Sequence, residues 1–138
     1  MGLFDKIAAI LTVIISMILS FTTSAQDLAT ANFTEKSIGN LEMGISSDNY
    51  GLKRSSIYFA GKYRVAEVAD VMLDEMKRSD DVNIKCLMAV ALYQIKDDHA
   101  MEYIVKLSRY ASDSKLRKTC KAIAELYTVE KSEILVQN

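Results

Sequence analysis

A 32-residue echo runs through the second half of the chain and restricts it to copies of one small unit. Leu52-Lys53-Arg54, Ile84-Lys85-Cys86 and Leu116-Arg117-Lys118 stand at equivalent places, two steps of 32 apart. Three residues before each aliphatic is a residue whose side chain accepts backbone hydrogen bonds at a helix start: Asn49, Asp81 and Asp113. The agreement continues downstream through Phe59/Ala91/Ile123, Ala60/Leu92/Ala124 and Tyr63/Ile95/Tyr127. A fixed period of this length is the mark of stacked supersecondary units, each too small to bury its apolar side alone.

The unit is helical. With no proline and five glycines, the 138 residues favour helices with short connections over strands. Each copy opens with an amphipathic helix, about Tyr50–Tyr63, Val82–Ile95 and Lys115–Tyr127, whose i, i+3, i+4, i+7 spacing sets Leu52, Ser55, Ser56, Phe59 and their equivalents toward a core. A closing helix follows in the first two copies, about 66–78 and 98–110. Another, Asn32–Ile45, precedes them with Phe33, Ile38, Leu41 and Ile45 on one side. Thr128–Asn138 is polar and reads as a loosely held tail. The expectation is an all-α chain of about six antiparallel helices, one domain over 26–127 and a tail over 128–138.

The segments NYGLKRSSIYFAGKYR at 49–64, DVNIKCLMAVALYQIKD at 81–97 and DSKLRKTCKAIAELY at 113–127 resemble the short HEAT-like repeats of many bacterial proteins. Two features depart from that pattern. The glycine near the end of the opening helix survives only as Gly61, replaced by Tyr93 and Glu125, and the turn proline is absent. The resemblance implies a short α-solenoid that binds other proteins, with no particular catalytic residue.

The first 25 residues belong to another class. Lys6 precedes IAAILTVIISMILSF at 7–21, an uncharged run, followed by Thr22-Thr23-Ser24-Ala25. This order of basic start, apolar stretch and small residues is that of a secretory signal cleaved after Ala25. The competing reading is an N-terminal membrane anchor. Fifteen helical residues rise only about 22 Å, short of the roughly 30 Å hydrocarbon core, which favours cleavage and a periplasmic or secreted mature chain with no stable membrane span.

Candidate sites are few. Lys53, Lys85 and Arg117 form a basic ladder, read either as a docking strip for an acidic partner or as partners of the neighbouring capping residues Asp81 and Asp113. With Arg54, Lys118 and Lys121 they outline a protein-binding face, because the opening helices are rich in Lys and Arg. The first closing helix instead carries Glu67, Asp70, Asp74 and Glu75. Tyr50, Tyr58, Tyr93, Tyr103 and Tyr110 divide between interface and packing roles. Cys86 and Cys120 are candidates for a disulfide in an oxidising compartment, although Cys120 also suits the core. His99, the single histidine, lies among acids that suit a positive helix end as well as a metal.

No residue set supports a reaction, a cofactor or a metal site. A net charge of −1 gives no general reason to expect nucleic acid. The chain therefore reads as an exported adaptor or accessory subunit with a protein partner. The alternative is a self-assembling module that stacks through open repeat ends, as a homo-oligomer.

Overall fold

The computed structural model describes residues 33–136, and all their regular structure is helical. Six helices occur among them: α1 (Glu35–Ile45), α2 (Tyr50–Lys62), α3 (Ala69–Arg78, after a 3₁₀ turn at Ala66–Val68), α4 (Val82–Ile95), α5 (Asp98–Tyr110) and α6 (Ser114–Val136). The three opening helices α2, α4 and α6 begin at residues 50, 82 and 114, so the sequence period is kept in the fold. Their caps are those the sequence predicts. Asn49 Oδ1 accepts from the Leu52 amide at 3.0 Å, Asp81 Oδ1 from Ile84 at 3.1 Å and Asp113 Oδ1 from Leu116 at 2.9 Å. Each such bond satisfies a helix-start donor and contributes about 1 kcal/mol.

The first two opening helices end alike too. Arg64 (φ 53°) and Lys96 (φ 64°), 32 residues apart, both adopt the left-handed conformation. After α2 the Val65 amide donates to Ala60 O at 3.0 Å and the Arg64 amide to Gly61 O at 3.1 Å, the paired bonds of a Schellman stop. For a residue with a β-carbon this conformation costs about 1–2 kcal/mol. The third equivalent, Thr128, lies inside α6, which runs on through Val136 instead of becoming a loose tail. Long-range bonds hold the extension. Glu130 accepts from the Tyr93 hydroxyl at 2.7 Å and the Lys96 ammonium at 3.2 Å, and the Tyr127 hydroxyl donates to Asp98.

Helices pack in a regular succession. Each closing helix lies on the opening helix that follows it, α1 on α2, α3 on α4 and α5 on α6, which makes three hairpins. Opening helices contact one another in order, α2 with α4 and α4 with α6, as do the closing helices α1, α3 and α5. The core between them is filled by Ile57, Met72, Met76, Met88, Leu92 and Ile104, all fully buried. Two glycines allow close approach: a β-carbon on Gly61 would come within 2.8 Å of Ala91, and one on Gly44 would strike Ser56. The Lys115 ammonium donates to Asn83 Oδ1 at 2.6 Å, joining residues one period apart on α6 and α4.

Burial corrects one expectation. Leu52 is 51 % exposed while its equivalents Ile84 and Leu116 are 2 % and 5 % exposed. Phe59 is likewise exposed where Ala91 and Ile123 are buried. These positions form the leading side of each opening helix, which packs against the opening helix before it, and α2 has no such neighbour among the described residues. The trailing side behaves the opposite way. Ile57 and Ala89 are buried, but their equivalent in α6 is Lys121, and Gly61 and Tyr93 give way to Glu125; both replacements are exposed. The two ends therefore differ: Leu52 and Phe59 mark one, whereas Lys121 and Glu125 place charge at the other, on a helix that also exposes Leu126 and Val129.

Two stability measurements check this picture. Ile84→Ala is expected to cost about 2–5 kcal/mol in denaturant melts, whereas Leu52→Ala costs less than about 1 kcal/mol. Equal losses at the two sites would mean that α2 is covered on its leading side. Arg64→Gly relieves the left-handed backbone and is expected to raise stability by up to about 1 kcal/mol, net of the added freedom of the unfolded chain. A drop in the melting midpoint would show that the arginine side chain matters more than its backbone.

Candidate functional site

The basic ladder is partly consumed by the fold. Lys53 is largely buried and its ammonium lies 3.0 Å from Glu75 Oε2, while Arg78 reaches the other oxygen of Glu75 at 2.7 Å. Arg117 Nη1 donates to the Ala111 carbonyl at 2.6 Å, at the C-terminal end of α5. Neither uses the capping carboxylate of a neighbouring copy, as one of the sequence readings had it. Asp81 and Asp113 have oxygens committed to backbone amides, and the closing-helix ends supply the nearer acceptors. Lys85 is half-buried and makes no ion pair among the described residues. Its difference from Lys53 has a simple source: Leu107 stands one period after Glu75.

Arg54, Lys118 and Lys121 are exposed. Arg54 borders a groove of about 510 Å³ that crosses the outer side of α2, α4 and α6. Tyr50, Ile84, Leu87 and Val90 give the groove an apolar lining, and Arg54 and Lys115 give it positive charge. No carboxylate lines it. Lys118 occupies in α6 the place that Arg54 occupies in α2. The sequence reading placed Leu87 in the core, counted Lys115 only among the basic residues of the opening helices, and passed over Val90. The signal for them was that α4 is apolar on nearly every side, more than one core can absorb.

The tyrosines divide. Tyr50, Tyr58 and Tyr110 are exposed, whereas Tyr93 and Tyr103 are half-buried, the latter with the Lys77 ammonium 5.8 Å from its ring centre. Glu67 in the 3₁₀ turn and Asp70 and Asp74 on α3 stand in solvent, Asp74 beside Lys77 at 3.3 Å. Glu75 turns inward to Lys53. The positive and negative sides that the sequence suggested thus belong to different helices, with one acid withdrawn from the surface.

Both cysteines are buried free thiols. Burial, with a smaller contribution from nearby Cys86, pushes the Cys120 thiol up to about 11. A thiol so raised stays protonated near neutrality and is a poor nucleophile. Cys120 packs in the core, and Cys86 sits under the groove. Among the carboxylates, Glu130 is held below its ordinary range by the Tyr93 hydroxyl first and the Lys96 ammonium second. The same bond raises Tyr93. These groups fasten α6 to the end of α4 and face no cleft. His99 is exposed, and no group of three metal-ligating side chains occurs among the described residues.

The signal-like segment and its cleavage residues Thr23 and Ala25 lie outside the described residues. No described helix is long and apolar enough to cross a membrane. No family model, curated protein or solved structure matches the chain.

Proposed function

We propose that the chain is an exported, non-catalytic adaptor of the bacterial envelope, a short HEAT-like solenoid that holds a protein partner along the outer side of α2, α4 and α6. One observation carries the reading: an apolar groove with basic and no acidic lining runs across three successive opening helices. Such a surface suits a segment that alternates apolar and acidic side chains. Apolar contact supplies most of the affinity, and the charges supply register and rate. The succession of helix contacts, α2 to α4 to α6 and α1 to α3 to α5, supports the solenoid reading, since each unit of a solenoid touches mainly its neighbours.

The basic face proposed from the sequence is thereby narrowed. Arg54 and Lys118 are available to a partner, Lys115 lines the groove with its ammonium on Asn83, Lys53 and Arg117 serve the fold, and Lys85 is half-buried. Lys121 lies outside this groove and lines a separate pocket between α5 and α6 with Val105, Arg109 and Ala124.

Charge reversal separates these roles. Arg54→Glu with Lys115→Glu is expected to reduce partner capture from envelope extract at least about tenfold while the melting temperature changes little. Capture by the unchanged protein weakens as salt rises, because attraction beyond about 8–10 Å is screened near physiological ionic strength. Lys53→Glu lowers the melting temperature instead, since it places two carboxylates together at Glu75. Full capture by a well-folded double variant would reject the groove as the binding face.

Export has its own test. N-terminal sequencing of the protein made in bacteria is expected to begin at Gln26, with the material in the soluble envelope fraction. Membrane-bound protein that retains Met1 or Gly2 would replace export by anchoring.

A further inference from the structure

The leading side of α2 carries an apolar stripe at the level where the other opening helices bury theirs. Leu52, Ser55 and Phe59 follow i, i+3, i+7 spacing, and all three are exposed. The stripe is continued by aromatic contacts, Phe59 stacked on Tyr63 at 6.1 Å and Tyr63 edge-to-face with Phe33 at 5.9 Å between centroids. In α4 and α6 the equivalents of Leu52 and Phe59 are covered by the preceding opening helix.

We propose that this stripe is a homodimer interface, in which α2 lies antiparallel against α2 of a second copy about a two-fold axis beside Ser55. Three observations select this occupant. First, the opposite end of the molecule presents Lys121 and Glu125, so leading-to-trailing stacking would bury charge against Leu52 and Phe59. Self-pairing through the α2 stripe avoids burying those charges, and assembly through it closes at two.

Second, the stripe complements itself. In the antiparallel register Leu52 meets Phe59 of the second copy, and Phe59 meets its Leu52. The small Ser55 falls at the crossing, where helix axes approach to about 8–10 Å. Third, the same register sets Lys62 beside Asn49 and Asp48 of the second copy. Both Lys62 and Asp48 are exposed, and neither makes an ion pair among the described residues. The Lys62 ammonium rests 5.8 and 5.6 Å from the Tyr58 and Tyr63 ring centres. Parallel pairing would instead oppose Lys62 to Lys62 and Asp48 to Asp48. A contact limited to one helix face lies at the low end of specific interfaces, so the dimer is reversible. The outer groove remains open in it, and the inference does not depend on what that groove binds.

Cysteine trapping in cells tests the arrangement on the full chain. Ser55 is exposed, so Ser55→Cys leaves the core intact, and the native thiols Cys86 and Cys120 are buried. Brief oxidation is expected to give a product of twice the monomer mass on a non-reducing gel. Phe59→Asp abolishes it, Lys62→Asp weakens it several-fold, and Lys62→Asp combined with Asp48→Lys restores it. Lys121→Cys, on the polar end, remains monomeric. A Ser55→Cys chain that stays monomeric overturns the dimer in favour of cover from within the chain, and a product containing another protein overturns it in favour of a foreign helix. Equal trapping at Lys121→Cys overturns it as random collision.

Discussion

The fold depends on how closely one opening helix can approach the next. At the α2–α4 contact Gly61 leaves no room for a β-carbon above Ala91, and the buried positions around them are small, with Ala60 and Ala89 beside Ile57. Close approach brings backbones within reach of one another's neighbours, so the caps, the loop carbonyls and the long side chains fall into repeating positions. Larger residues at this contact would push the helices apart and cost the packing attraction on which a small core relies. Methionine compensates elsewhere: Met72, Met76, Met88 and Met101 fill the irregular space between closing and opening helices.

The same period carries different chemistry in each copy. Lys53 is neutralised by Glu75, Lys85 has Leu107 at the acid's place, and Arg117 turns to the carbonyls that end α5. A partly buried cation needs some acceptor, but the backbone position does not dictate which. The fold therefore repeats its geometry without repeating its interactions. The outer groove is the product: apolar at the central helix, positive at the flanking ones.

Local signals were the legible ones. Asn49, Asp81 and Asp113 mark helix starts because the bonds they accept come from residues within one turn, and the starts fall where that chemistry puts them. The end of α6 was not legible. Thr128–Glu130 reads as polar tail until Tyr93 and Lys96, more than thirty residues earlier, supply partners for Glu130. Leu52 was misread for a related reason. An aliphatic residue at a repeat position shows that a neighbour would be favourable, not that one exists. Of the candidate site, the basic residues were visible, but the apolar lining at Leu87 and Val90 required knowing which side of α4 was already covered.

The exchange of Ile57 and Ala89 for Lys121 makes the final hairpin a terminator. A chain truncated after α4 lacks the helix that covers Ala89, and it ends in an apolar edge rather than a polar one. Quality-control proteases and chaperones, which bind exposed apolar segments, can therefore recognise loss of α6 without reading anything specific to the chain.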